Sequence, residues 1–246
     1  MIILSFLFLY VLFLSYVYGL GTLLLIKKHT QIIPDQFPLI VFVGLASITT
    51  LGGVFSIFYR INWEFQLLLL AGGILLLIFL QPFKNFIRDI KKPHAKSHWF
   101  FLAFSVILCM ILIHATSLIP ANPDTSIYHA QTIHWIEDYP AVPGLANLHA
   151  RLGYNSSWLL LNAIFSFPYL GLGSFHFMTG FLLTIAACYF LSGVSQLFQG
   201  QLSLSGILKI GFLVALFVFL LDQASSPGTD APSTIFEWIL ITQTVW

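Results

Sequence analysis

The polar segment from Ile119 to Asn155 holds the residues of this chain whose types and spacing best suit chemistry. Within it, Asn122-Pro123-Asp124-Thr125 is a helix start signal and Pro140 is a stop signal, which predicts about four turns of helix between them. At about 100° per residue, one face of this helix collects polar and aromatic side chains, and the opposite face is apolar. The helix is therefore expected to lie flat on the membrane surface with its polar face toward a cavity or water. The polar face consists of Asp124, Tyr128, Gln131, Trp135 and Asp138.

Two charged residues of this segment have a simple structural explanation beside a functional one. Arg151 is the only basic residue between Lys96 and Lys209, and its guanidinium matches the geometry of a phosphate group. Contact with a lipid headgroup, or pairing with Glu137, explains an arginine here equally well. Asp124 is a candidate for chemistry, but aspartate is also a preferred N-cap residue.

Three histidines in the same segment suggest a metal site only weakly. His129 and His134 are five residues apart, so their rings point about 140° away from each other on a helix. Helical zinc pairs use a spacing of four residues. Packing or hydrogen-bonding roles are therefore favoured for these two residues and for His149.

A second polar stretch, Leu221–Pro232, contains Asp222 and Asp230. Its side of the membrane depends on the apolar run Ser156–Gly171, whose 16 residues would span about 24 Å as a helix. A membrane crossing needs about 30 Å, so we favour a position in the interface, which places Asp230 on the same side as Asp124. If that run does cross, the two aspartates lie on opposite sides.

Composition identifies the elements that must position these residues. The chain is 58% hydrophobic and 8% charged, with a mean hydropathy of +0.91. Soluble domains carry about 25% charged residues, so an integral membrane protein is expected, and its spans must be helices because lipid satisfies no backbone polar group. The predicted fold is an all-α, polytopic transmembrane bundle of about six to eight spans. Candidate spans are Ile2–Ile26, Pro38–Tyr59, Phe65–Phe83, Trp99–Ile119, Phe175–Val194 and Gly206–Leu221.

Basic residues predict the orientation of these spans. Lys27, Lys28 and the basic residues of the stretch 84–96 belong to two loops separated by two spans, so both loops are expected on the cytoplasmic side. The segment 119–155 then faces outward, from what we expect to be a bacterial cytoplasmic membrane. A net charge of +1 and the lack of a basic stripe argue against nucleic acid as a partner. The chain stops inside the apolar run Thr234–Trp246, which suggests an N-terminal fragment of a longer protein.

The motifs Asp124-Thr-x-x-Tyr128 and Arg151-Leu-Gly-Tyr-Asn-Ser-Ser-Trp, with the later Asp230, resemble those of the GT-C glycosyltransferases. The sequence pattern around Asp124 and Pro140 also resembles that of an uncharacterised group of bacterial polytopic membrane proteins. The resemblance covers residues 99–246, a GT-C-like region containing the outer loop 119–155. Residues 1–98 would form a preceding three-helix transmembrane region.

The resemblance implies an enzyme that transfers a sugar from a polyprenyl-phosphate donor to an acceptor on the outer face of the membrane. Asp124 and Asp230 would be the catalytic carboxylates and the ligands of any divalent metal, Mg or Mn. Arg151 would contact the phosphate of the donor. The remaining implied substrate-binding residues are Tyr128, Gln131 and Trp135.

Two other functions fit the same sequence. A transporter or flippase of lipid-linked sugars or small solutes would place ionisable groups inside broken helices, whereas the acids here cluster in loops. A non-catalytic membrane assembly protein would tolerate the loss of Asp124 and Arg151. The sequence leaves the donor, the acceptor and the oligomeric state open.

Overall fold

The protein, described by a computed structural model, is all-α. The structure describes residues 1–27, 36–79, 97–171, 176–201 and 203–245, and these residues contain no strand. The predicted all-α class is confirmed, whereas the predicted number of six to eight spans stays a prediction. The helices are α1 (Ile2–Lys27), α2 (Phe37–Ser56), α3 (Trp63–Phe79), α4 (Ser97–Thr116), α5 (Ala130–Asp138), α6 (Ser157–Ile164), α7 (Met178–Phe198), α8 (Leu204–Ala215) and α9 (Asp230–Thr244).

Among the residues that the structure describes, four helical stretches are long and apolar enough to cross a bilayer, as expected of a membrane protein. They are Ile2–Ile26, Phe37–Ser56, Met178–Phe198 and Leu204–Ser225. The last of these continues from α8 through a π-helical turn, Leu216–Leu220, and a 3₁₀ segment, Leu221–Ser225. Two further predicted spans correspond to shorter apolar helices, Trp63–Ile78 and Leu102–Thr116.

The apolar run Ser156–Gly171 contains a short helix followed by a break. Helix α6 has 8 residues and rises about 12 Å, which is less than half of the hydrocarbon thickness. The break follows from Pro168, which disfavours the α conformation at the residue before it, and Phe167 adopts φ +53°. This helix by itself is too short to cross the membrane.

The chain divides into two compact units. The N-unit comprises residues 5–93 and 126–176, and the C-unit comprises residues 1–4, 94–125 and 177–246. These units do not coincide with the predicted regions 1–98 and 99–246, because residues 126–176 pack with the N-terminal helices. The predicted region boundary rests on motifs and stays a prediction.

In the N-unit, close helix packing is made possible by small residues. A Cβ atom at Gly19 would overlap the carbonyl oxygen of Ile40, and one at Gly44 would overlap that of Ser15, so α1 and α2 touch backbone to backbone. Helix α6 packs against α2 and α5. This packing places α5, which carries the predicted site residues Gln131 and Trp135, on a scaffold of apolar helices.

In the C-unit, α7 is the most deeply buried helix and packs against α4 and α8, while α9 covers α7 and α8. Close crossings occur at two glycines, since a Cβ at Gly180 would overlap Thr116 Oγ1 and one at Gly193 would lie 2.5 Å from the carbonyl oxygen of Gly206. Helix α4 and the helical stretch that continues from α8 to Ser225 end near the polar stretches that contain Asp124 and Asp230, and α7 and α9 begin there. The C-unit therefore positions both acids from the ends of packed helices.

Candidate functional site

The polar end of the C-unit, defined here as residues 117–125 and 222–230, is held together by hydrogen bonds between these two segments. The backbone N–H of Asn122 donates to Ser226 Oγ at 3.2 Å, and Ser225 Oγ donates to the carbonyl oxygen of Ile119 at 3.3 Å. Thr179, at the start of α7, donates to the carbonyl oxygen of Ser226 at 2.6 Å. Asp124 and Asp230 thus belong to segments at the same end of the C-unit, as the favoured topology requires.

Asp124 and Asp230 have different local environments. Asp124 is half-buried, and its backbone N–H donates to Asn122 Oδ1 at 2.9 Å, which fixes the turn leading into the next helix. Asp230 is exposed and is the first residue of α9, so it lies in a helix and not in a loop as the sequence suggested. A carboxylate in the first turn also stabilises a helix through its dipole, which gives Asp230 a structural role as well.

In the N-unit, the predicted polar face of the surface helix is broken. Residues Thr125–His129 form a π-helical turn, and α5 follows directly. A π turn advances fewer degrees per residue than an α-helix, so positions counted at α-helical spacing lose their register across it. As a result Tyr128 is buried, Trp135 is half-buried, and Gln131 and Asp138 are exposed. The expectation of one continuous polar face was wrong for Tyr128.

Arg151 lies among aromatic rings. Its guanidinium carbon is 5.1 Å from the ring centroid of Tyr128, and Tyr154 meets the same ring edge-on at 6.0 Å. His149 Nδ1 accepts the backbone N–H of Arg151 at 3.3 Å. A guanidinium that stacks on a ring is attracted by its π face, and its in-plane N–H groups suit phosphate geometry. The structure thus brings together two of the predicted substrate-binding residues, Tyr128 and Arg151.

Glu137, which the sequence offered only as a partner for Arg151, is buried with 1% of its surface exposed. Its Oε2 lies 2.8 Å from Nδ1 of His134, one turn earlier on α5. Asn62 Nδ2 donates to the Glu137 carbonyl oxygen at 3.4 Å, which ties this helix end to the segment before α3. Burial lowers the pKa of the nearby His176 below its usual 6.5, although the Glu137 charge acts in the opposite direction.

The described residues do not include a group of three or more histidine, cysteine, aspartate or glutamate side chains placed to hold a metal ion. Two of the three histidines of the polar segment have other hydrogen-bonding roles, His134 with Glu137 and His149 with Arg151, and His129 is buried. The pairing of Asp124 and Asp230 as metal ligands stays a prediction.

The N-unit also contains a cavity of about 310 Å³ that the sequence did not reveal. Trp135 is the one predicted site residue that lines it, and the wall is completed by the end of α2, the turn after α5 and the start of α6. The backbone N–H of Ala141 donates to the Ser56 carbonyl oxygen at 2.8 Å and fixes the turn. Pro140-Ala-Val-Pro-Gly144 predicts a turn here, but a turn signal does not locate a cavity.

Comparison with known protein families shows to which family this chain belongs. The profile of a family described as Domain of unknown function (DUF8201) matches residues 1–245. The chain belongs to this family. Comparison with curated proteins and with solved structures gives no match. The family description carries no activity, so the resemblance to the GT-C enzymes stays a prediction.

In this DUF8201 chain the predicted site residues fall into two groups. Asp124 and Asp230 lie at the polar end of the C-unit, whereas Tyr128, Trp135 and Arg151 lie in the N-unit. Gln131 is exposed on the N-unit, and no contact of its side chain supports a role. The first group offers carboxylates, and the second offers an arginine on an aromatic ring and an aromatic cavity wall.

Proposed function

We propose that this protein is a multi-pass glycosyltransferase of the bacterial cytoplasmic membrane. It would transfer a sugar from a polyprenyl-phosphate donor to an acceptor at the outer face. The observation that carries the proposal is the polar end of the C-unit, where the segments of Asp124 and Asp230 are hydrogen-bonded to each other at the ends of apolar helices. Lys27, Lys28 and the basic residues of 84–96 favour an outward orientation for this end.

In the proposed reaction, Asp124 accepts the proton of an acceptor hydroxyl while that oxygen attacks the anomeric carbon of the sugar. The new bond joins the acceptor oxygen to the sugar, and the bond from the sugar to the phosphate oxygen breaks with its electron pair. The products are a glycoside and polyprenyl phosphate. The phosphate contact that the resemblance implies for Arg151, a residue of the N-unit, stays a separate proposal and rests on the match of a guanidinium to two phosphate oxygens.

A divalent ion, Mg or Mn, remains part of the proposal. Magnesium is usually held by one or two carboxylates together with substrate phosphates, so it does not require a closed set of protein ligands. Asp124 and Asp230 would supply those carboxylates, and the ion would neutralise charge on the departing phosphate. Asp230 would otherwise act as a second acid.

The test is a transfer assay in lipid nanodiscs with radiolabelled polyprenyl-phosphate sugars and membrane-extracted acceptors. Asp124→Asn is expected to lower the transfer rate at least about 100-fold, the scale of a lost general base. Asp138→Asn is the matched control, because Asp138 is an exposed carboxylate to which the proposal assigns no role, and it should transfer at the wild-type rate. Full activity in Asp124→Asn would refute the assignment.

Transport of lipid-linked sugars is a second candidate function, favoured by one observation. Lys209 is a buried cation in the candidate span Leu204–Ser225, and buried charge in a span is typical of transporters. However, Lys209 is only five residues beyond Leu204, about 8 Å along the helix, whereas transporter sites lie near the midplane. A flippase would move a fluorescent lipid-linked sugar across a vesicle membrane without forming a glycoside.

A further inference from the structure

The lining of the N-unit cavity contains no charged side chain, although loops at a membrane surface commonly carry them. A phosphate or carboxylate placed there would gain no counter-charge from the lining, which disfavours an anion. The cavity therefore suits an uncharged ligand. Its lining consists of Ser56, Thr132, Trp135, Ile136, Tyr139, Pro140, Ala141, Val142, Gly144, Leu145, Ala146, Leu152, Gly153, Asn155, Ser156 and Leu160.

Two aromatic side chains form one part of the lining. The ring centroids of Trp135 and Tyr139 are 5.1 Å apart, and the rings are inclined at 40°. Trp135 is half-buried, and Tyr139 is 51% exposed. Aromatic rings offer a large apolar surface together with a polar N–H or O–H, which suits a ligand that has both an apolar face and polar edges.

Two hydroxyl groups of the lining, those of Thr132 and Ser56, are arranged as acceptors. Thr132 Oγ1 donates to the carbonyl oxygen of Tyr128 at 2.8 Å, and Ser56 Oγ donates to that of Gly53 at 2.9 Å. Each hydroxyl has one proton, so these two oxygens are left with lone pairs and can only accept from a ligand. Asn155 adds an amide, which can both donate and accept. A ligand that matches this lining carries several hydroxyl groups.

The loops that enclose the cavity are built to hold one shape. Gly144 has φ +86° and Asn155 has φ +46°, and glycine and asparagine are the residues that adopt this region most readily. A Cβ at Gly153 would lie 2.9 Å from the Cβ of Ala146, so the two loop segments need glycine to pack this closely. A preformed cavity lowers the ordering cost of binding.

We propose that this cavity binds one uncharged sugar unit. A sugar ring combines an apolar face, which suits Trp135 and Tyr139, with hydroxyl donors, which suit Thr132 and Ser56. The volume of about 310 Å³ lies at the lower end of the range for small-molecule sites, about 300–1,000 Å³, and so favours a single ring over an oligosaccharide. The lining is mixed, with apolar side chains in the majority and hydroxyl and amide groups among them. The inference rests on the proposed transferase function and adds a sugar-recognition site to it. Sugar binding can nevertheless be measured without any sugar transfer.

The test is equilibrium dialysis of radiolabelled monosaccharides against the full chain in lipid nanodiscs. Maltoside detergents are avoided because their headgroups are sugars. The neutral probes are glucose, galactose, mannose and N-acetylglucosamine, and the charged probes are glucose 1-phosphate and glucuronic acid. At least one neutral sugar is expected to bind saturably, and the charged probes at least about 10-fold more weakly, since nothing in the lining pairs with their charge.

Two variants locate the binding. Trp135→Ala is expected to weaken it at least about 10-fold, because the variant loses the aromatic wall. Thr132→Val keeps the shape and removes an acceptor, so a loss of about 3- to 10-fold is expected, the scale of one hydrogen bond. Trp63→Ala, at the start of α3 and outside the lining, is the control and should bind as the wild type does.

The inference is overturned if no neutral sugar binds saturably, if the charged probes bind as tightly, or if both variants bind like the wild type. Should Trp135→Ala fail to give folded protein, Thr132→Val decides the matter alone. Sugar binding without any transfer in the wild type would refute the transferase and leave this site standing. Transfer without saturable sugar binding would refute this sugar site and leave the proposed transferase function standing.

Discussion

The stretch Leu204–Ser225 is expected to carry the chain from one face of the membrane to the other. Its 22 residues rise about 33 Å, which matches a hydrocarbon core of about 30 Å. Gln201 precedes the stretch and Asp222 lies near its end, and both side chains are exposed. A cysteine at each position should therefore react with an impermeant reagent from opposite sides of the membrane.

For the assay, Cys109 and Cys188 are first replaced by serine, and single cysteines are then placed at Asp222, Gln201 and Ser126. Intact and permeabilised cells are labelled with a membrane-impermeant maleimide. Ser126 lies two residues after Asp124 and is exposed, so it reports the side of that acid. Labelling of Ser126→Cys and Asp222→Cys in intact cells, and of Gln201→Cys only after permeabilisation, is expected.

Two outcomes would refute this reasoning. Equal labelling of Gln201→Cys and Asp222→Cys in intact cells would mean that Leu204–Ser225 does not cross. Labelling of Ser126→Cys alone in intact cells would place the two acids on opposite sides. That second result would contradict the hydrogen bond from Asn122 to Ser226 at the polar end of the C-unit and would remove the basis of the proposed function.

Two further predictions concern stability. Gly180→Ala should destabilise the protein by about 1–3 kcal/mol in detergent unfolding, because the new Cβ would lie 2.9 Å from Cβ and Cγ2 of Thr116. Gly211→Ala, with open space around it, should be neutral or stabilising by up to about 1 kcal/mol, and equal effects of the two changes would contradict the packing. His176 has a lowered pKa in the folded state, so the unfolded state binds more protons as the pH falls below 6.5, and stability should drop there. His176→Gln should show a smaller loss of melting temperature between about pH 7.5 and pH 5, and an unchanged loss would refute the assignment.

Helices could be predicted from this sequence because a long apolar run indicates a lipid environment. In lipid the backbone polar groups must pair with each other, which a helix allows. The run Ile2–Ile26 became α1 almost residue for residue, since nothing in it competes with a helix. Helix ends were less predictable. The apolar run Thr234–Trp246 is preceded by Pro232, yet α9 begins at Asp230, because proline is tolerated in a first helical turn, where its missing N–H would have no partner.

The sequence indicated the residue types of the candidate site but not their geometry, and the roles of these residues stay predictions. The π turn at Thr125–His129 has no simple sequence signal, and it moved Tyr128 from the expected polar face into a buried position beside Arg151. The cavity brings Ser56 together with Asn155, which are far apart in the sequence, and a single sequence contains no signal for such pairs. Long-range polar contacts were therefore visible only in the structure.

The last prediction concerns the effect of the buried Lys209 of the C-unit on the free energy of unfolding. Its side chain is 4% exposed, donates to Ser192 Oγ at 3.2 Å and lies 4.5 Å from the ring centroid of Tyr189. Among the described residues no carboxylate pairs with it. The cation–π contact contributes up to about 2 kcal/mol, whereas removing an ammonium group from water costs several kcal/mol. The neutral partners therefore do not offset the desolvation of the charge.

Lys209→Met should accordingly leave the free energy of unfolding unchanged or raise it by about 1–4 kcal/mol, as apolar replacements of buried charges often do. Tyr189→Phe is the matched comparison. It removes the hydroxyl that is 2.8 Å from Thr242 Oγ1 and should destabilise by about 1 kcal/mol. If Lys209→Met instead destabilised the protein by more than Tyr189→Phe does, the contacts of Lys209 with Ser192 and Tyr189 would outweigh the desolvation of its charge, and this reasoning would be wrong.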